Sequence, residues 1–204
     1  MSAPLLRPED LPLWEAAKPY LDVRNNDEHT LVAYGLGKAL LDLIPEADPD
    51  IVLPAIVLHD VGWKRIDPDL LLLAIGKNPT RKDLVRDHEV HGVDIAGGIL
   101  CQHGMNAAQI DAILAIIDGH DTDKDARSIN DAVMKDADKG WRTTRHGMRV
   151  IQGWYGWDAL EYVASLEKVS LPFMLTDAGR ALSTTFLATV RAEAQTADYL
   201  EHQG

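Results

Sequence analysis

The residues able to do chemistry in this chain meet first at His59-Asp60. This imidazole and carboxylate stand side by side inside IVLPAIVLHDVGWKR, the stretch from Ile51 to Arg65. A core does not choose such a pair for packing, because burying either group without a partner is costly. Three more histidines, His29, His88 and His120, stand at the inner edges of apolar helical stripes. Neutral imidazoles and a carboxylate gathered inside an acidic protein satisfy all their lone pairs at once by sharing a metal ion. In chain order the candidate ligands are His29, His59, Asp60, His88, His120 and Asp138, each on its own predicted helix except the adjacent pair. Mixed His/Asp donors suit iron, manganese, zinc, nickel or cobalt better than calcium.

The elements that must position these groups read as helices throughout. A short helix is predicted between Leu11 and Val23, with Pro12 in its first turn. Asn25, Asn26 and Asp27 are candidate caps for a second, in which His29, Ala33, Leu36, Leu40 and Leu43 share a face until Pro45. Pro49 opens a third helix that carries His59 and ends at Gly62. The apolar segment DPDLLLLAIG follows, free to pack anywhere and closed by Gly76, Lys77, Asn78 and Pro79. Thr80 to Leu100 repeats at helical steps through Leu84, His88, Gly92, Ile95 and Ile99, and Gly92, Gly97 and Gly98 are expected to permit close helix contact. Asn106 caps a helix whose face is Ile110, Ile113, Ile117 and His120. Ser128 caps another, with Met134, Asp138 and Trp141 on one side. GWYGWDAL reads as a Gly-broken aromatic connector, and Leu175 to Leu200 as a long terminal helix. The expected fold is all-α, one helical domain over the whole chain. Its motif-bearing core runs from about Asn25 to Trp141, with a helical extension from about Arg142 to Gly204.

Composition narrows the function. The 204 residues, 46% of them apolar, suffice for one sizeable core. A net charge of −12 argues against a nucleic-acid polymer as partner, since such binders carry a basic stripe. The lone Cys101 excludes an intramolecular disulfide and points to a reducing compartment. The opening MSAPLLRPEDLPLW lacks a basic start followed by a long apolar core, and no apolar run approaches the ~20 residues of a membrane span. The expectation is a cytoplasmic protein without a membrane partner, with a homodimer left open.

The motifs NNDEHT, LHDVGW, DHEVHG, DGHDT and KDADKG, in this order, resemble the HD-domain metal-dependent phosphohydrolase superfamily. The pattern there is a His, then His-Asp, then a distant Asp, with two further His in members that bind two metals. The resemblance implies a helical bundle in which His29, His59, Asp60 and Asp138 hold a first metal. Asp60 would bridge to a second metal held by His88 and His120. It favours His88 over its neighbour His91, through His-x-x-x-Gly, and Asp138 over Asp136, through the following Lys139. Iron or manganese is implied first, with zinc, nickel, cobalt or magnesium also suited.

The resemblance implies hydrolysis of a small phosphoester, a nucleotide or nucleotide-like metabolite, by a metal-bridging hydroxide. Asp60 would be the central catalytic group. Of the cations near the motifs, Lys64, Arg65, Arg142 and Arg145, the first candidates for phosphate contacts are Lys64 and Arg142. His120 is followed by Asp121 where HD-GYP phosphodiesterases have a second His, and their Gly-Tyr-Pro is absent, which argues against a cyclic dinucleotide. The second reading is a di-iron oxygenase, because myo-inositol oxygenase and an organophosphonate oxygenase use the same four-His, two-Asp set. The third is a metal-stabilised binding module without catalysis. Asp121 and Asp123 read as solvated loop acids, since their loop lacks the glycine and terminal Glu of a calcium site. Trp141, Trp154, Tyr155 and Trp157 read first as core or interface aromatics, and second as a surface for stacking a base or sugar.

Overall fold

The computed structural model describes residues 4–75 and 78–202, and among these every regular element is helical. In chain order the α-helices are α1 Leu11–Ala17, α2 Asn26–Leu43, α3 Pro49–Leu58, α4 Leu71–Ala74, α5 Asp83–Gln102, α6 Ala107–Ile117, α7 Ile129–Trp141, α8 Arg145–Tyr155, α9 Ala159–Val169 and α10 Asp177–His202. The turn expected at Gly76 and Lys77 lies outside the described residues.

The centre of the bundle is α3. Asp48 accepts the amide of Asp50 at 2.8 Å and Pro49 takes the first helical position, so the helix starts without orphaned donors there. Every side chain from Ile51 to Leu58 is buried, as expected of a helix that is apolar all round. Each large aliphatic side chain buried this way contributes about 1.5–3 kcal/mol. Helices α1, α2, α6 and α7 pack around α3. The entry to α3 is tied to α7 by the Asn130 side chain, which accepts the amide of Asp48 at 2.7 Å.

A second apolar patch, Trp63, Ile66, Leu71, Ala74 and Leu84, gives residues 67–75 of the apolar segment a definite place between the His59-Asp60 turn and α5. Leu72 and Leu73 point outward. A third patch joins Tyr162, Val163 and Leu166 of α9 to Leu187 and Val190 of α10.

Several boundaries differ from the sequence reading. Helix α3 stops at Leu58, so His59 is its C-cap, and Gly62 lies in the 3-10 helix Val61–Arg65. Helix α6 stops at Ile117, so His120 sits in the turn beyond Gly119, whose φ of +96° only glycine adopts freely. Leu43 is exposed at the open end of α2. GWYGWDAL is no connector: Gly153, Trp154 and Tyr155 finish α8, and Gly156 caps it in the left-handed conformation. Asp158 then caps α9 by accepting the amides of Leu160 and Glu161. Close approach explains Gly92, where a Cβ would lie 3.3 Å from the His59 carbonyl. It does not explain Gly98, which faces nothing within 4 Å.

Candidate metal centre

Five segments deliver the candidate ligands to one buried point. His29 comes from the first turns of α2, His88 from α5 and Asp138 from α7. His59, Asp60 and His120 come from the two places where helices break. Breaking a helix frees its last carbonyls, and the histidines use them: His59 Nδ1 lies 2.8 Å from the Ile56 carbonyl, and His120 Nδ1 lies 2.9 Å from that of Ile117. Each Nδ1 therefore donates, and each Nε2 is turned inward.

The cluster has two halves. In one, His29 Nε2 and His59 Nε2 stand 3.0 Å apart, with Asp138 Oδ1 at 3.2 and 3.6 Å from them. In the other, His88 Nε2 and His120 Nε2 stand 3.2 Å apart, with Asp121 Oδ2 at 3.9 Å from both. Asp60 lies between the halves. Its Oδ2 is 3.7 Å from His29 and 3.6 Å from His59, while its Oδ1 is 3.6 Å from both His88 and His120.

This donor set fits divalent cations. Two imidazole nitrogens at ~2.1 Å from one ion and at right angles to each other stand about 3.0 Å apart, as each pair here does. Among protein groups alone the arrangement is frustrated: each inward Nε2 meets another Nε2 and carboxylate oxygens, and His29 Nδ1 and His88 Nδ1 are buried without a hydrogen bond. The electrostatics make the same demand for positive charge. Burial works against a charged His59 and a charged His120, yet Asp60 and Asp138 hold the first above its ordinary pKa, and Asp60 and Asp121 push the second up to about 10. Burial and the neighbouring His120 lower His88 to about 4. Although burial opposes their charge, Asp60 and Asp138 are held well below the usual carboxylate range, Asp60 by His59 and His120 and Asp138 by His29 and His59.

The surroundings fix the cluster. Glu89, next to His88, accepts the amides of Asp121 at 2.9 Å and Thr122 at 2.8 Å and the Thr122 hydroxyl at 2.7 Å. It thereby pins the loop bearing His120 to α5. The buried Lys135 ammonium donates to the carbonyls of Asp123 and Asp125 and pairs with Asp131 at 3.3 Å, holding the far side of that loop. Trp63 stacks on His88 at 4.1 Å and donates to Asp60 Oδ1 at 3.0 Å. Trp141 meets His29 edge-on at 4.6 Å and donates to His146 Nδ1 at 2.9 Å, and His146 Nε2 reaches Glu28 at 2.7 Å.

A cavity of about 520 Å³ opens over the cluster. Its floor includes His29, Asp60, Asp121 and Asp138, and its wall is aromatic: Trp63, Trp141, Trp154, Tyr155, Trp157 and Tyr162. The second-half aromatics thus share one concave surface, and two of them serve the core as well: Trp141 is buried, and Trp157 packs on the apolar patch between α9 and α10. Arg142 also lines it, its side chain 39% exposed and 3.8 Å from Asp121. Burial disfavours its charge, but Asp138 and Asp121 more than offset this and raise its pKa.

The cationic candidates separate clearly. Lys64 is not in the cavity: its ammonium pairs with Asp22 at 2.5 Å, because the 3-10 helix after Asp60 carries it outward. Arg65 pairs with Asp94 at 2.6 Å and Arg145 with Glu193, both on the surface. His91 joins neither half of the cluster. Asp136 faces away and accepts the amides of Leu175 and Thr176 ahead of α10. Asp123, as a loop acid should, pairs with Arg127. Asp121 does not: it turns in toward His88 and His120, which the sequence reading missed because the charge-rich run HDTDKD resembles a solvated loop. Arg24, also in the cavity lining, was missed as well.

The family model described as HD domain matches residues 26–139 of the chain, more than half its length. No curated protein and no solved structure matches it. Among the described residues, no helix is long and apolar enough to cross a membrane.

Proposed function

The chain belongs to the HD domain family, and from that premise we propose that it is a metal-dependent hydrolase of a small phosphoester, a nucleotide or nucleotide-like metabolite. The observation that carries the reading is Asp60, whose two oxygens face one imidazole pair each, as a carboxylate shared by two cations requires. His29, His59 and Asp138 would hold the first ion and His88 and His120 the second, with Asp60 common to both. Iron and manganese are the first candidates. Divalent ions bound there would lower the pKa of water toward neutrality and draw negative charge from phosphoryl oxygens.

The chain's own residues supply the rest. Arg142 stands over the cluster with its charge reinforced by Asp138 and Asp121, so it can take phosphoryl oxygens as charge develops on them. Asp121 supports the second half, where only two imidazoles and Asp60 are otherwise available. The aromatic wall offers flat apolar faces to the organic part of the substrate and keeps bulk water from the floor, which strengthens each charge contact. The cavity is within the range that encloses ligands of nucleotide size.

The test is a screen of phosphomonoesters, nucleotides and cyclic nucleotides with manganese or iron(II), under nitrogen, with phosphate release as the readout. Release without oxygen supports the reading. Turnover that begins only when oxygen is admitted transfers the assignment to an oxygenase, and a metal-loaded protein silent under both conditions to a binding module.

A further inference from the structure

Arg24 is held in place by an unusual backbone. It and Asn25, with φ of +55° and +57°, are the non-glycine residues with positive φ among the described residues. Asparagine tolerates the left-handed region, whereas arginine has no local hydrogen bond to compensate for it. Two consecutive residues in this conformation, directly before α2, persist because the surrounding structure over-determines them.

What the turn positions is the Arg24 guanidinium. Its Cζ lies 4.4 Å from the centre of the Trp63 ring and 5.5 Å from that of Trp154, and the side chain lines the cavity beside Asp60, Asp121 and Arg142. Nε and Nη1 are buried and make no hydrogen bond. Burial depresses its pKa, Asp60 and Asp121 only partly oppose this, and Arg142 adds to it. Stacking on indole satisfies the faces of a guanidinium, but its N–H bonds lie in the plane and point past the rings. Arg142 has Asp121 at 3.8 Å, and Arg7, Arg65 and Arg86 each have a carboxylate partner. A desolvated cation with unused in-plane donors, in the lining of a cavity, is incomplete without an anion.

We infer that Arg24 is an oxyanion receptor of the cavity, which takes a phosphoryl group of the substrate on its in-plane N–H edge while Trp63 and Trp154 fix the guanidinium plane. The choice of phosphate as the anion rests on the function proposed above; the demand for an anion rests on Arg24 alone. A planar fork matches two oxygens of a tetrahedral oxyanion, and a lysine ammonium does not reproduce that match. The residue would act on specificity and binding, at a position outside the family's His and Asp motif.

The metal-loaded protein is titrated with inorganic phosphate and, separately, with acetate, by calorimetry and by the fluorescence of the tryptophans that flank Arg24. Wild type is expected to bind phosphate saturably and acetate more weakly. Arg24→Gln is expected to weaken phosphate at least tenfold with metal content and melting temperature unchanged, and Arg24→Lys to weaken it at least threefold. Phosphate affinity within twofold of wild type in Arg24→Gln would overturn the inference. If that variant does not fold, unchanged affinity in Arg24→Lys overturns it instead. The two readings fail separately. Phosphate binding that depends on Arg24, in a protein that hydrolyses no phosphoester, leaves Arg24 as receptor and removes the hydrolase. Normal hydrolysis and normal phosphate binding by Arg24→Gln do the reverse.

Discussion

Gly62 and His88 touch through their backbones: a Cβ built on Gly62 would lie 1.9 Å from the His88 carbonyl oxygen and 2.5 Å from the Gly92 amide nitrogen. The turn that carries His59 and Asp60 thus docks on α5 at a spot where no side chain fits. Neither obstacle is a flexible side-chain end that could swing aside. Gly62→Ala is therefore expected to destabilise by more than about 3 kcal/mol, or to prevent folding. Gly98→Ala, on the open side of the same helix, is expected to raise stability by about 0.5–1 kcal/mol. Urea unfolding of both variants checks the contrast.

The helices and four-histidine set could be read from periodicity because α2, α3, α5, α6 and α7 carry apolar stripes long enough to set their own period. What could not be read is where the chain leaves those stripes. His59 and His120 seemed to continue helical faces, yet each sits just past its helix, where freed carbonyls orient the ring. Asp121 was hidden by the acids around it, and its inward turn depends on Glu89, which is distant in sequence. Arg24 was hidden by its polar neighbours, since nothing local tells a buried arginine from an exposed one. Lys64 was misplaced because proximity in sequence to Asp60 says nothing about direction, and a 3-10 helix there turns it toward Asp22. Helix α8 was overlooked because Gly147, Gly153 and Gly156 punctuate it like a loop.

Glu89 gives a pH-dependent prediction. Burial opposes its charge, but hydrogen bonds from Thr122 and Arg86 outweigh this and hold its pKa below the ordinary 4.5. A carboxylate depressed in the folded state stabilises above its unfolded pKa, and that contribution is lost as pH falls through the folded value. Glu89→Gln is expected to melt below wild type at pH 7, with the gap closing as pH drops below about 4.5. Thermal melts across pH 3–7 decide it, and a gap independent of pH would remove Glu89's charge from the account.

Asp136 and Asp138, two residues apart on α7, should separate stability from metal content. Asp136→Ala removes the acceptor for Leu175 and Thr176 at the start of α10 and should cost about 1–2 kcal/mol with bound metal unchanged. Asp138→Ala should lose metal from the His29–His59 half. Metal analysis of both purified variants would reverse the assignment if only the Asp136 variant came up short.

Protons and cations compete for the cluster. Because His120 is pushed up to about 10, it carries a proton at neutral pH in the metal-free protein, and an ion binding at its Nε2 must displace that proton. Affinity should therefore rise with pH, about tenfold per unit for each proton released, and fall as the solution is acidified. Chelator competition from pH 6 to 9 measures the slope, and proton uptake by a weak buffer during metal addition measures the count. Binding at pH 8 without proton release would contradict the placement of an ion at His120.

Arg142 and Lys64 make the sharpest test of how substrate is held. The two cations follow the Asp138 and Asp60 motifs by four residues each, and they were equivalent until the fold separated them. Arg142 faces the cluster from the cavity, while Lys64 spends its charge on Asp22 at the surface, where an exposed pair contributes little. Arg142→Gln should lower kcat/KM on a phosphoester by about 10²–10³, the usual loss of one charge-stabilising donor, with metal content intact. Lys64→Gln should stay within about twofold of wild type. Steady-state kinetics on the best substrate from the screen reads both. Equal losses would mean that Lys64 leaves Asp22 and swings inward when substrate binds, and the rigid separation of the two cations would have to be abandoned.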